Sequence, residues 1–405
     1  MLLLYNIGIR MYWVAIYIAA AFKTKAQLWI RGRRQQQIKN LKNSIWFHFA
    51  SLGEFEQGRP VLEQMKTLYP NHPIIVTFFS PSGYEIRKNT PLADAVYYLP
   101  LDTAVNARKF IETINPAIAV FTKYEYWYHF FNELHLKNIP LYIVSSIFRP
   151  QQVFFKWYGG LHRQMLKMVT RFFVQDEQSV QLLKAIGIDN ASVSGDTRFD
   201  RVWANAQSPK ELPVIAEFKN GQPLLVAGST WPQDEELLVT LLEKYPDWKF
   251  IFAPHEIGEE KINNLVNLLP AHNTVRLSQI ASLQSQISNL RVLVIDNIGM
   301  LSSLYQYGEV AYIGGGFGAG IHNTLEAAAF GLPVMFGPNY QRFKEARDII
   351  ELKAGINISN TQELDSAADL LLCDGEYRQF ASGKIRTYVE SNTGATEKII
   401  NAIQL

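Results

Sequence analysis

The chain has 405 residues, 48% hydrophobic and 19% charged, a globular composition long enough for two domains. A net charge of +2 gives no reason to expect a nucleic-acid partner, and the single cysteine, Cys373, excludes an internal disulfide or a cysteine-built zinc site. A reducing, cytoplasmic setting for the folded body is the default.

The charge is unevenly spread. Residues 1–53 contain no Asp or Glu, while Arg10, Lys23, Lys25, Arg31, Arg33, Arg34, Lys39 and Lys42 all fall there. The uninterrupted apolar run from Met11 to Phe22 is shorter than the roughly 20 residues a membrane span needs. Arg10 would then sit near mid-bilayer, at a cost of at least about 2.5 kcal/mol. The basic residues follow the apolar stretch, which is not the order of a secretory signal. An interfacial helix fits better, with Tyr5, Tyr12, Trp13, Tyr17 and Trp29 at headgroup level and the basic residues toward anionic lipid. A first helix buried in the core is the alternative. Residues 1–43 are therefore expected to associate with an anionic membrane surface, the body lying on the cytoplasmic side.

From residue 44 onward, short apolar runs alternate with stretches of helical period. Strands are predicted at 45–50, 73–79, 95–99, 117–121, 141–144, 172–174 and 191–193, with a helix from about Phe55 to Leu68 after the first. This alternation implies a parallel sheet with helices on both faces. Residues 202–222, with Pro209 and Pro213 and no strong period, read as a linker. A second series of strands follows at 224–227, 249–253, 292–295, 310–313 and 333–336. The expected fold is α/β: two doubly wound Rossmann-like domains, 44–205 and 206–375, facing across a cleft, with the helices of 376–405 packing back on the first. Such sheets bind ligands beyond the C-terminal ends of their strands.

Four loops at those ends carry polar residues. His48-Phe49-Ala50-Ser51-Leu52-Gly53-Glu54 follows the first strand; Gly53 permits a sharp turn and Glu54 opens the next helix. The carboxylate there serves either as a cap on the helix dipole or as a proton acceptor kept ionised by the helix N-terminus. Phe78-Phe79-Ser80-Pro81-Ser82-Gly83 is a hydroxyl-rich turn that caps a helix or cradles a polar ligand. Ala227-Gly228-Ser229-Thr230 precedes a helix expected from Pro232 to Lys244 and suits a cap or an anion equally. It lacks the GxGxxG spacing and the lysine of a P-loop. His255 ends the next strand at the same sheet edge, where a structural role is the alternative. The most informative segment runs from Ile313 to Glu326. Five glycines within Gly314–Gly320 allow close backbone approach and leave N–H groups for phosphate. Asn323 and Glu326, three residues apart, would share a helix face suited to a ribose diol. A surface loop is the alternative.

Taken together and in order, these segments resemble the Kdo (3-deoxy-D-manno-octulosonate) transferases, inverting glycosyltransferases of lipopolysaccharide biosynthesis with the two-domain GT-B architecture. The resemblance covers essentially the whole chain. It is carried by HFASLGE (48–54), SGDTRFD (194–200), AGST (227–230), DNIGML (296–301) and GGGFGAGIHNTLEAAAFGLPVMFGP (314–338). It implies Glu54 as general base, with Ser51, Gly53, Ser80, Ser82 and Glu125 on the acceptor side. It implies CMP-Kdo as donor, held by Arg198, Ser229, Thr230, His255, Ile298, Gly299, Met300, Gly315, Asn323 and Glu326. Glu326 would take the ribose hydroxyls, and the Ser229, Thr230 and Gly315 region the phosphate. The acceptor implied is a lipid A precursor (lipid IVA) at the cytoplasmic face of the bacterial inner membrane. The chain departs from the family pattern at Lys123, where an acid is usual, at Ala253-Pro254-His255-Glu256, where Pro-Arg-His-Pro is usual and the arginine is missing, and at Asp196-Thr197-Arg198, where Asn-Leu-Lys is usual.

The expected chemistry is a single displacement without metal or other cofactor: no cluster has metal-ligand spacing and there is no Asp-x-Asp. Two other readings stay open, another GT-B enzyme using a UDP-sugar and a membrane-attached protein that binds a sugar nucleotide without chemistry.

Overall fold

The computed structural model of the chain describes residues 1–282 and 287–405. They form two compact units, Met1–Arg201 with Asn392–Leu405, and Val202–Ser391. The segment that returns to the first unit is thus shorter than the expected 376–405. The helix Gly375–Ser391 stays with the second unit, and the helix Ala395–Ala402 joins the first. Gly394 N–H and Thr396 N–H both donate to the Asp200 carboxylate and fasten the returning segment.

The first unit begins with two helices, α1 (Leu2–Ala19) and α2 (Thr24–Gln35). Its sheet has seven strands, β1 (Ser44–Phe49), β2 (Ile74–Phe78), β3 (Ala95–Tyr98), β4 (Pro116–Thr122), β5 (Leu141–Ser146), β6 (Arg171–Val174) and β7 (Ala191–Val193). They lie in the order β3-β2-β1-β4-β5-β6-β7, and every pairing is parallel. The chain starts in the middle, winds out one way to β3, and returns to continue from β4. The β1/β4 boundary is therefore the topological switch point, where a doubly wound sheet opens a crevice for ligand. The central strands are buried on both faces and read as largely apolar runs. One core, around Trp46, Phe121 and Phe130, covers one face; another, around Phe47, Phe49 and Phe78, covers the other.

The second sheet comprises β8 (Leu224–Thr230), β9 (Lys249–Pro254), β10 (Thr274–Arg276), β11 (Val292–Val294), β12 (Val310–Ile313), β13 (Val334–Phe336) and β14 (Gly355–Asn357). Their order, β10-β11-β9-β8-β12-β13-β14, again all parallel, puts a second switch point between β8 and β12. β10 and β14 were not predicted. Each is a three-residue edge strand, too short to show a period.

Residues 202–222, read as an aperiodic linker, begin where the second unit begins and are largely helical. They complete the helix Thr197–Gln207 and form the helix Pro213–Lys219. Pro213 occupies the first helical turn, where its missing N–H costs nothing, and Asn220 ends the helix in the left-handed conformation. Leu212, Ile215 and Phe218, three apart, are buried. The prolines that read as breakers are helix boundaries.

The N-terminal helices divide in role. α1 has no buried residue, and its 18 residues have a mean hydropathy of 1.4, apolar enough by length and composition to cross a membrane. α2 is docked on the body. Trp29 is buried, Gly32 lies against the Tyr98 ring, and Arg33 donates to the carbonyls of Leu99 and Phe79. Trp29 is accordingly not a headgroup-level aromatic. Nor is Tyr5, whose hydroxyl donates to Asp102, the carboxylate that also accepts the first N–H groups of the helix Tyr128–Leu136.

Candidate active site

The switch point of the first sheet gathers the residues of the HFASLGE segment and the loop after β4. His48, the penultimate residue of β1, is wholly buried between β2 and β4. Trp46 donates its indole N–H to the Thr77 hydroxyl at 2.8 Å. That hydroxyl lies 2.8 Å from His48 Nδ1, closer than its other acceptor, the Phe47 carbonyl at 3.3 Å. The pattern assigns the imidazole proton to Nε2, which faces Glu125 Oε2 at 3.1 Å. Trp127 donates its indole N–H to the same oxygen at 2.9 Å and stacks on Phe79, with centroids 4.9 Å apart. Lys123, at the start of this loop, has φ 58, a left-handed conformation that a lysine adopts only under constraint.

The helix α3 (Leu52–Leu68) follows β1, and Glu54 is its third residue. Its Oε2 reaches back to accept the Ala50 N–H at 2.6 Å. Sequence reasoning expected the helix N-terminus to depress this carboxyl. Instead it is pushed up to about 7, first by burial and then by the neighbouring Glu125 carboxylate, with Ala50 N–H and Lys123 only partly offsetting them. Desolvation of the charged form outweighs one hydrogen bond and a helix end.

The other expected acceptor-side residues cluster nearby with altered roles. The sharp turn is made at Ser51, extended at φ −148, and not at Gly53, which is helical and where an added Cβ would meet nothing closer than 4.0 Å. Ser80 begins the helix Pro81–Arg87 without capping it; its hydroxyl lies 2.6 Å from that of Ser82. Arg198, expected among the donor contacts, belongs to the first unit. It donates from Nε and Nη2 to Asp196 Oδ2, at 2.9 and 2.7 Å. Burial alone would raise Asp196, but the Arg198 charge and hydrogen bonds, with Lys123, hold it below its ordinary value. Asp196 also accepts from Gln57 of α3 and so ties this cation to the helix that carries Glu54.

The second switch point gathers the remaining expected donor residues, but with the backbone arranged otherwise. Ser229 has φ 54 and β8 bulges there. Gly314 packs so close that a Cβ would lie 2.2 Å from the Ser229 carbonyl oxygen. The Thr230 hydroxyl donates inward to Glu235 at 2.8 Å. The loop N–H groups were expected to be free, yet those of Gly314, Gly315, Gly318, Gly320 and His322 are all bonded within the chain. Gly315 N–H goes to Asp234 Oδ2 at 2.9 Å, and the same oxygen accepts Trp231 N–H at 2.9 Å. Tyr312 donates to Asp234 Oδ1 at 2.7 Å. Asp234, not singled out from sequence, thus ties the turn after β8 to Tyr312 of β12 and to the glycine loop. Burial pushes its carboxyl up against these three donors.

Asn323 lies before the helix Leu325–Ala329 rather than on its face. Its side chain accepts Leu325 N–H and donates to Glu326 at 3.0 Å, so the expected pair is brought together. Ile298, Gly299 and Met300 form the loop beyond β11, two strands from β8, with Ile298 exposed and Gly299 at φ 96. His255, at the end of β9, stacks between Trp231 (5.0 Å) and His322 (4.3 Å). Trp231 donates its indole N–H to His322 Nε2 at 3.1 Å. His322 is pulled down to about 4, by burial and then by His255. Neither ring partner was anticipated; the signal was the aromatic directly after AGST. Among the described residues no group of three or more His, Cys, Asp or Glu side chains is placed to hold a metal ion.

A family model described as 3-deoxy-D-manno-octulosonic-acid transferase matches residues 24–201. The chain is 26% identical over 374 residues to the 3-deoxy-D-manno-octulosonic acid transferase of Haemophilus influenzae, covering 89% of this chain and 86% of that protein. It is 26% identical over 340 residues to the enzyme of the same description from Aquifex aeolicus, covering 82% and 86%. Among solved structures, a UDP-N-acetylglucosamine 2-epimerase superposes with a TM-score of 0.60 at 14% identity, over 89% of this chain and 95% of that one. At that identity the likeness is one of fold, the two-unit GT-B architecture.

Proposed function

The chain belongs to the Kdo transferase family of glycosyltransferases, and from that premise we propose that it transfers Kdo from CMP-Kdo to a hydroxyl of a lipid A precursor, lipid IVA, with Glu54 as general base. The observation that carries the reading is the Glu54 carboxyl, half-buried at the switch point of the first sheet with its pKa raised to about 7. A carboxylate with that affinity accepts a proton near neutral pH far better than an exposed one, and it still ionises there.

The acceptor hydroxyl gives its proton to Glu54 and attacks the anomeric carbon of Kdo, while the bond from that carbon to the CMP phosphate oxygen breaks. One displacement inverts the centre. Negative charge gathers on the leaving CMP, which calls for donors on its phosphate. Ser229 and the Thr230 region are our assignment there, with the Asn323–Glu326 pair on the ribose. The Gly315 N–H, held by Asp234, serves by shaping the loop. Glu125, held by His48 and Trp127, sets the charge beside Glu54. The reaction needs no metal or other cofactor; EDTA should leave the rate unchanged. α1 would hold the protein at the cytoplasmic face of the inner membrane, where a lipid-borne acceptor lies in reach.

The test is incubation with CMP-Kdo and a tetraacylated lipid A precursor, with product masses read by spectrometry. A mass increase of one or more Kdo units is expected. No product with CMP-Kdo, and turnover with a UDP-sugar instead, would overturn the donor assignment. CMP-Kdo binding without product under any condition would favour a binding protein.

A further inference from the structure

We propose that a cavity between α1, α2 and the helix Ala104–Ile114 is a binding site for the phosphate-bearing headgroup of an anionic phospholipid. The cavity has a volume of about 330 Å³ and lies within the first unit. At roughly 30 Å³ of liquid volume per water-sized group, it holds about ten such groups, the size of a phosphoglycerol head.

Its walls are aromatic and cationic. Trp13 and Tyr17 come from α1, Trp29, Arg33 and Arg34 from α2, and Lys109 from the helix Ala104–Ile114; no carboxylate is among the lining residues. Arg33 is fixed by its hydrogen bonds to carbonyls and stands 3.7 Å over the Trp29 ring. Burial pulls it down to about 9, which leaves it charged at neutral pH. Arg34 lies 5.2 Å over the Tyr17 ring. Trp29 is only 4% exposed, yet its indole N–H has no hydrogen-bond partner. A buried donor left unmet costs about 1–3 kcal/mol, and such groups in native proteins are nearly always satisfied. A phosphate is the anionic group that Arg33, Arg34 and Lys109, which line the cavity together, would hold.

The adjoining α1 says which phosphate. None of its residues is buried, and Leu3 and Leu4 are 71% and 68% exposed, with Met11 and Ile18 similarly open. An apolar helix of this kind lies among acyl chains. The cation-lined cavity beside it is then served by a lipid headgroup. This site stands apart from the transfer reaction, and its test does not measure transfer.

The experiment titrates the full chain with dihexanoylphosphatidylglycerol, dihexanoylphosphatidylcholine and sodium phosphate, reading tryptophan fluorescence. The phosphatidylglycerol should give a saturable change. Arg34→Gln combined with Lys109→Gln alters two exposed residues and threatens no core. It should weaken that binding by about tenfold or more, since each cation near anionic lipid contributes roughly 1 kcal/mol. Equal binding of the phosphatidylcholine overturns the proposal, because apolar insertion alone then accounts for it. So does unchanged binding in the double variant. Inorganic phosphate binding as tightly as the lipid also overturns it, by making the ligand a free anion.

Discussion

His48 Nε2 and Glu125 Oε2 stand 3.1 Å apart, joining the buried end of β1 to the loop after β4. The indole N–H of Trp127 meets the same oxygen, and the chain of contacts runs back from His48 through Thr77 to Trp46. This network holds a negative charge beside Glu54, the second cause of its raised pKa after burial. Removing that charge should strengthen Glu54 as an acid. In Glu125→Gln, the acid limb of the pH–rate profile should move to lower pH. His48→Ala, which frees Glu125 to swing away, should move it the same way with a smaller amplitude. An acid limb unmoved in Glu125→Gln would separate Glu125 from the base.

Glu54→Gln keeps a carbonyl oxygen for the Ala50 N–H and removes the proton acceptor. General-base assistance is typically worth about 10²- to 10⁴-fold. Turnover should fall by that order, with CMP affinity, measured by calorimetry, close to unchanged. Full activity in this variant would remove Glu54 from the chemistry.

The same substitution should stabilise the protein, with a definite pH dependence. The folded Glu54 titrates at about 7 and the unfolded one near its ordinary 4.5, so the folded state binds more protons between those values. The native carboxyl therefore loses stability as pH rises from about 4.5 to 7, up to a cost on the order of 3 kcal/mol above pH 7. Glu54→Gln should accordingly raise the melting temperature at pH 8, and the gain should vanish toward pH 4.5. Thermal denaturation at the two pH values measures it.

Trp231 donates to His322 Nε2, which requires that nitrogen to be unprotonated. Trp231→Phe keeps a ring for the His255 stack and loses the N–H. The His322 imidazole should then titrate above its present value of about 4, toward the ordinary histidine range. Nuclear magnetic resonance titration of the ring protons follows it directly. An unchanged titration would show that burial and His255 alone set the value.

Asp234 accepts from Trp231 N–H, Gly315 N–H and the Tyr312 hydroxyl. Asp234→Ala leaves three buried or half-buried donors unmet, at about 1–3 kcal/mol each before any relaxation. A fall in unfolding free energy of roughly 3 kcal/mol or more is expected, together with weakened CMP binding as the glycine loop loses its anchor. Asp234→Asn, which retains one acceptor oxygen, should lose less of both.

Much of this protein was legible in its local sequence, because strand and helix are local facts. Unbroken apolar runs such as Leu224–Ala227 and Val310–Ile313 announce strands buried on both faces, and their alternation with helical stretches leads to two doubly wound sheets. The polar loops at their ends were found for the same reason, Glu54 among them. The edge strands β10 and β14 and the proline-started helix Pro213–Lys219 escaped, since three residues of mixed polarity carry little signal and a proline marks a start as well as a stop.

The tertiary structure alone decided how those loop residues behave. The proton affinity of Glu54 depends on burial and on a carboxylate from another strand end, neither of which its neighbours in sequence reveal. Arg198 is paired with Asp196, which its neighbours in sequence did not reveal; the N–H of Gly315 looked free for phosphate, but Asp234 takes it. Tyr5 and Trp29 looked like headgroup aromatics, but both face the body. Residue type and spacing determine which groups reach the site. The charge and hydrogen-bonding freedom they retain there depend on desolvation and on partners that only the folded chain brings within a few ångströms.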